Sequence, residues 1–303
     1  APDSFKRFFG ENFGFRFGNP DRGTPRRAPR TQGVGSGFFI DADGHLVPYN
    51  HVIGDAYKIE IMLKDGAIFD AELVGRDLKT DLALLKVKAD TAFPFVRFGK
   101  SSEAMVGDWV IALGSPFGLG HTATTGIVSA TGRDIGAGPY DDFLQIDASI
   151  NKGNSGGPTF NVRGEVIGVN TAIISPTGVS AGIGFAVPSD MVKSIIAQLR
   201  ENGRVTRGWL GVSVQQVTED LADGLGMKNP EGALISNVTK ESPAEKAGLQ
   251  AGDVIIAVDG ERITKMRDLP RRVASLAEGR SAGLRVIRGG HERIFEVVIG
   301  KMP

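Results

Sequence analysis

No cysteine occurs in this chain of 303 residues. That excludes disulfide staples, a thiolate nucleophile and cysteine-ligated zinc, and it leaves the redox compartment open. Histidine is scarce as well: four scattered copies argue against a histidine metal cluster. Net charge is absent, with 35 Lys and Arg against 35 Asp and Glu, so the chain as a whole offers no electrostatic footprint for nucleic acid or an anionic membrane. No apolar run approaches the roughly 18 residues that cross a bilayer, and the first residues carry no signal-peptide pattern. A G-x-x-x-x-G-K-[ST] nucleotide loop is missing too. What the chain does have is glycine, 42 copies, about twice the average share. With so few Trp and Tyr, this predicts many tight turns and short strands, and the length suits two domains.

Residues 1–35 stand apart. Phe5, Phe8, Phe9, Phe13, Phe15 and Phe17 hold six of the 17 phenylalanines, and Arg22-Gly-Thr-Pro-Arg-Arg-Ala-Pro-Arg30 is basic and broken by proline. The first stretch packs on its own domain or forms a subunit contact; the second reads as an exposed, mobile loop. A nucleic-acid or membrane role for that loop is a weak reading, because no aromatics interleave its arginines. From Ser36 to Val187 strand and turn alternate. Ser36–Ile40 and His45–Val47 flank the turn Asp41-Ala-Asp43-Gly44, which lacks the further acidic ligands of a calcium loop. Apolar runs at 58–61, 68–74, 82–87, 109–113, 143–146 and 165–169 predict further strands, and the absence of long helical periods favours a barrel or sandwich. A helix is predicted from Ser189 or Asp190 to Leu199, then a linker at 204–207. A small domain follows, with strands at 211–217, 233–238, 254–258, 284–288 and 293–299 and helical runs at 243–247 and 268–276.

The most informative segment is Gly153-Asn-Ser-Gly-Gly-Pro158. A serine between glycines can expose its hydroxyl on a sharp turn while neighbouring N–H groups converge on a developing oxyanion. As a bare pattern it also satisfies the G-x-S-x-G elbow of α/β-hydrolases, but that motif needs a following helix and a downstream histidine. Here strand, turn and strand follow, and the only downstream histidine, His291, lies in a polar turn of the second domain. The elbow is rejected. A serine nucleophile needs a base and a group that holds the base in one tautomer. His45 lies on a turn and His121 in a Gly-rich loop, whereas His51 follows a buried-looking strand. Asp81 opens the apolar run Leu82–Val87, so its carboxylate is pulled inward and needs a donor. Asp77 reads as exposed, and Asp147 is the fallback acid.

The order His51, Asp81, Ser155 is that of chymotrypsin-type proteases. With Gly35-Ser-Gly-Phe-Phe-Ile40, Asn50-His-Val52, Thr80-Asp-Leu-Ala-Leu-Leu-Lys86, Gly114-Ser-Pro-Phe-Gly118, Thr125-Gly-Ile-Val-Ser129, Asp147–Pro158 and Gly182–Pro188, the chain resembles the HtrA (Deg) family of serine endopeptidases. The tail segments Gly208-Trp-Leu-Gly-Val212 and Ser242–Asp253 resemble a PDZ domain. The resemblance implies a mainly β protein: a chymotrypsin-like double β-barrel followed by a small α/β PDZ domain. The divisions would be an arm and mobile loop at 1–35, a trypsin-like domain with a C-terminal helix at 36–203, a linker at 204–207 and a PDZ domain at 208–303.

By the same resemblance Ser155 is the nucleophile, His51 the base, and Asp81 the group orienting it. Gly153 and Ser155, together with Asn154, form the oxyanion hole. The segment 173–185, through Ile173, Ile183 and Phe185, shapes the specificity pocket for small aliphatic side chains, and Arg133 belongs to a sensor loop. In the PDZ domain Trp209, Leu210, Gly211 and Val212 receive a peptide C-terminus, and Leu269, Val273 and Leu276 wall the groove. The implied activity is ATP-independent cleavage of unfolded or misfolded polypeptides in the periplasm by a homotrimer or larger assembly. It needs no cofactor, no nucleic acid and no transmembrane segment in this chain. A proteolytically silent peptide-binding scaffold or chaperone is the alternative. The sequence departs from the family at Pro48-Tyr49, where Thr-Asn is common, at Ile146 for a usual threonine and at Thr159 for a usual leucine. Pro48 removes a backbone donor and fixes φ just before His51.

Overall fold

A computed structural model describes residues 33–175 and 180–302. The Phe-rich arm and the whole basic stretch Arg22–Arg30 lie outside the described residues, as does the middle of the 173–185 segment. The chain divides into two compact units, residues 1–205 and 206–303.

The first unit opens with β1 (Phe38–Phe39), β2 (His45–Val47), the one-turn helix α1 (Asn50–Ile53), β3 (Ile59–Met62), β4 (Ile68–Asp77) and β5 (Leu82–Val87). These strands form an open antiparallel sheet in the order β1-β2-β5-β4-β3. β5 runs through its centre and is apolar along almost its whole length, which buries both its faces. A closed barrel follows, from β6 (Trp109–Gly114), β7 (Thr122–Arg133), β8 (Phe143–Ile146), β9 (Pro158–Asn161), β10 (Val166–Ile173) and β11 (Gly184–Pro188), ordered β10-β11-β8-β7-β6-β9. The 12-residue β7 is the strand least visible in the sequence, because its Thr- and Gly-rich stretch shows no clean apolar alternation.

Helix α2 (Ser189–Asn202) closes the unit. Val192, Ile195, Ile196 and Leu199 recur at helical spacing and join Val47, Tyr49, Leu82, Leu84 and Val169 in one cluster between the two sheets. Each such side chain contributes about 1.5–3 kcal/mol by leaving water. The helix ends at Gly203, in the left-handed region at φ 66°, whose N–H bonds the Leu199 carbonyl.

The second unit holds β12 (Gly208–Trp209), β13 (Val212–Gln216), α3 (Glu219–Gly224), β14 (Ala233–Val238), α4 (Pro243–Lys246), β15 (Val254–Val258), β16 (Glu261–Arg262), α5 (Asp268–Ala274), β17 (Ser281–Arg288), β18 (His291–Val298) and β19 (Gly300–Lys301). Its main sheet runs β13-β14-β15-β17-β18, and β12 pairs with β19. Leu269, Val273 and Leu276 are buried with Ile235, Ile255 and Leu284 in the core of this unit.

Candidate active site

The site lies at the seam of the open sheet and the closed barrel. After β2 the chain continues antiparallel to the start of β5: the Pro48 carbonyl accepts from Ala83 N–H, Tyr49 bridges Leu82, and Asn50 N–H donates to the Asp81 carbonyl. Pro48 is thus engaged through its carbonyl, the group that proline retains. His51 then sits on α1, partly exposed at its imidazole. Asp81 is 3% exposed and holds φ at 61°, a conformation that costs a non-glycine residue energy and recurs at functional sites.

That strained backbone aims the Asp81 carboxylate back at α1. Its Oδ1 accepts from His51 N–H at 2.9 Å and from Asn50 Nδ2 at 3.4 Å, while Oδ2 is hydrogen-bonded to His51 Nδ1. An imidazole held at Nδ1 by a carboxylate keeps Nε2 as the acceptor. The other acids are occupied elsewhere. Asp77 is buried rather than exposed, and its carboxylate takes the Lys79 and Thr80 N–H groups and the Thr80 hydroxyl, closing the turn that leads to Asp81. Asp147 accepts from Ile127 N–H. Asp41 is bonded to His45 and Arg200.

Ser155 lies on two successive turns between β8 and β9. Asn154 N–H donates to the Asn151 carbonyl at 3.0 Å and Gly153 has φ 103°, the signature of a type II turn. The Lys152 carbonyl consequently faces the loop after β6, where Phe117 N–H donates to it at 2.8 Å. Across a planar trans peptide the Gly153 N–H must point the opposite way. Asn154 N–H is consumed inside the turn, so the expected third oxyanion donor is unsuited to that role. The Ser155 hydroxyl donates to the Thr171 carbonyl at 3.0 Å. Thr171 is the extra residue where β10 shifts register against β11, between Asn170 and Ala172.

Ser36 is a residue that sequence reasoning passed over. Its N–H donates to the Ser155 carbonyl at 3.0 Å, and its hydroxyl donates to the Gly153 carbonyl at 2.7 Å while accepting from Ser115 N–H at 3.0 Å. A Cβ on Gly156 would meet the Ser36 carbonyl at 2.1 Å, so this approach admits only glycine. The only sequence signal was its place in the Gly-Ser-Gly segment, which read as the start of a hairpin.

Tyr49 is completely buried. Its hydroxyl donates to the Val169 carbonyl at 3.1 Å, and its ring stacks on His51, with centroids 5.6 Å apart and planes 21° from parallel. Burial pushes the phenol well above its ordinary pKa; hydrogen bonding with Thr171 opposes this and the Asp81 charge adds to it. Of the expected specificity residues, Ile173 and Phe185 are buried and Ile183 is partly so. Ile150, buried beside them, faces Gly184: a Cβ there would lie 3.0 Å from Ile150 Cγ1. Arg133 Nε donates to Gln145 Oε1 at 2.9 Å across β7 and β8. In the second unit, Gly211 (φ 81°) passes so close to Ser242 that a Cβ would sit 2.2 Å from the Ser242 Cβ, and β13 has an edge with no strand partner among the described residues.

Comparison with known proteins agrees with this arrangement. The trypsin-like peptidase domain family matches residues 35–169 and the PDZ domain family residues 208–299. A protein of Rhizobium meliloti (strain 1021) named probable periplasmic serine endoprotease DegP-like is 49% identical over 304 residues, covering 98% of this chain and 60% of the relative. Its counterpart in Ectopseudomonas mendocina (strain ymp) is 45% identical, covering 100% of this chain and 63% of the relative. The chain thus spans about three fifths of the curated relatives it matches. Among solved structures, the HtrA-type protease AlgW with tripeptide has a TM-score of 0.81 at 40% identity, covering 89% of each chain. The serine endoprotease from Yersinia pestis has a TM-score of 0.69 at 34% identity, covering 91% of this chain and 92% of that one. A trypsin-like domain followed by a PDZ domain, with this degree of likeness along both, makes the chain a member of the HtrA-type serine protease family.

Proposed function

We propose that the chain is an ATP-independent serine endopeptidase of the periplasm that cleaves unfolded polypeptides through an acyl-enzyme. The observation that carries this is the Asp81 carboxylate holding His51 at both its backbone N–H and its Nδ1. In the proposed cycle Ser155 Oγ turns from the Thr171 carbonyl to His51 Nε2, loses its proton there and attacks the scissile carbonyl. The oxyanion takes the N–H groups of Gly153 and Ser155, each such donor being worth about 2.7–4 kcal/mol in comparable sites. His51 returns the proton to the leaving amine, and a water deprotonated by the same imidazole hydrolyses the ester. The periplasmic location follows the names of the relatives.

The buried, apolar Ile150, Ile173 and Phe185 support a preference for small aliphatic side chains beside the scissile bond. Arg133 serves on this reading as the sensor that carries peptide occupancy to the oxyanion turn. The PDZ domain accepts an extended C-terminal peptide on the open edge of β13, with the Leu210-Gly211-Val212 N–H groups on its carboxylate and Trp209 alongside. The assembly is a homotrimer.

Casein cleavage and fluorophosphonate labelling at pH 7–8 test the reading, with Ser155→Ala beside the wild type and with and without a hydrophobic-tailed peptide. Labelling and cleavage that vanish in the variant, and that the peptide stimulates, are expected. A wild type that never labels would return the chain to the silent peptide-binding scaffold.

A further inference from the structure

We infer that Tyr49 is a positioning residue that ties the strand bearing His51 to the strand on which Ser155 rests; this rests on the protease reading above. Three consecutive carbonyls of β10 are taken up in three different ways. Val169 accepts the Tyr49 hydroxyl at 3.1 Å, Asn170 accepts Gly156 N–H at 2.9 Å, and Thr171 accepts the Ser155 hydroxyl at 3.0 Å. The nucleophile and its neighbour are therefore fixed to the same short piece of backbone as the phenol. At its other end Tyr49 belongs to the base: its ring stacks on the His51 imidazole, and its backbone bridges Leu82, next to Asp81. One side chain spans the seam across which the base and the nucleophile must meet.

Core packing alone does not account for the residue. A buried hydroxyl destabilises unless it is bonded, so a phenylalanine would fill an apolar core at lower cost. Here the hydroxyl is bonded to the Val169 carbonyl. Reacting groups misplaced by about 1 Å lose roughly a hundredfold in rate. A slackened tether should cost part of that.

Tyr49→Phe keeps the ring and removes the link. The expected result is a rate of fluorophosphonate labelling and a kcat roughly tenfold below wild type, with KM unchanged. A variant that labels and turns over within about twofold of wild type, whatever its melting temperature, overturns the inference. A second measurement needs no variant of Tyr49. The chain has three tyrosines, Tyr49, Tyr57 and Tyr140, so ring-labelled ¹³C-tyrosine spectra are simple, and Tyr57→Phe aids assignment. The Tyr49 Cζ resonance should shift when the stacked ring is removed in His51→Ala; a Tyr49 signal that stays in place in that variant also overturns the inference. Wild-type protein that fails to label refutes the protease reading instead, and the resonance experiment still decides the Tyr49–His51 link.

Discussion

Asp81 grips His51 twice, through the backbone N–H at 2.9 Å and through Nδ1 of the ring. The two bonds act differently. The first fixes where α1 begins relative to β5, and the second fixes the tautomer and tilt of the imidazole. Asp81→Asn keeps the shape and presents an amide N–H or carbonyl where a carboxylate stood. On the proposed mechanism kcat should fall by about four orders of magnitude with KM little changed, as for the loss of this acid in other triads. Steady-state cleavage of a peptide substrate checks it. A loss of less than about tenfold would refute the role given to Asp81.

Ser36 meets the turn that carries Ser155 only at main-chain atoms of that turn, the Gly153 carbonyl through its hydroxyl and the Ser155 carbonyl through its N–H. Ser36→Ala removes the hydroxyl bridge between Gly153 and Ser115 and leaves the backbone bond in place. A drop in kcat of roughly tenfold is expected, from an oxyanion turn that populates other conformations. Labelling kinetics with a fluorophosphonate report it directly. Equal labelling rates in the two proteins would show that the turn holds itself.

The Asp190 carboxyl predicts how the first unit responds to acid. Burial would raise its pKa, but Lys193 and the hydrogen bonds from Ser102 and Ser101 outweigh this and hold it down to about 2 from 3.8. A folded-state pKa below the unfolded one means the contribution is complete above about pH 4 and is lost as pH falls towards 2. Urea midpoints of the wild type should therefore decline between pH 4 and 2 more steeply than those of Asp190→Asn. Parallel declines would remove Asp190 from the account.

In the PDZ domain Asp253 is 1% exposed, and its two oxygens take Arg288 Nε and a terminal guanidinium nitrogen, both at 2.6 Å. Arg288 also lies over Phe295 and donates to the Gly248 carbonyl, so the pair closes the turn before β15. Asp253→Asn leaves a partly buried cation short of its counter-charge and should destabilise by about 2–3 kcal/mol. Thermal or urea unfolding of the variant measures it. A loss below about 0.5 kcal/mol would mean that the bonds are as good to an amide.

How far the sequence carried can be seen residue by residue. Strand β5 and helix α2 were legible because their burial leaves an unbroken apolar run and a helical repeat. Helix α1 was missed, since one turn carries no periodicity. His51 and Asp81 could be singled out because an acid at the mouth of a core strand demands a donor. Asp77 was misread for the same reason in reverse: charged neighbours suggested solvent, whereas its carboxylate closes a buried turn. Ser36, the Lys152–Phe117 bond and the Tyr49–Val169 bond left no trace, because each joins distant segments through a backbone atom, and backbone atoms are identical at every position. The residues Leu269, Val273 and Leu276 carry less information than their spacing suggests. Amphipathic spacing shows that a helix has an inner face and leaves unstated whether that face meets its own core or a guest.

The division of the first unit into an open sheet and a closed barrel also bears on how the protein folds. His51 and Asp81 come earlier in the chain, and Ser155 and its glycine turns come later, with β10 and α2 later still. On the proposed mechanism, a chain that has completed only the open sheet carries a proton acceptor with its carboxylate and nothing for it to activate. Hydrolytic competence, on that mechanism, arrives only when the last strands of the barrel close against that sheet.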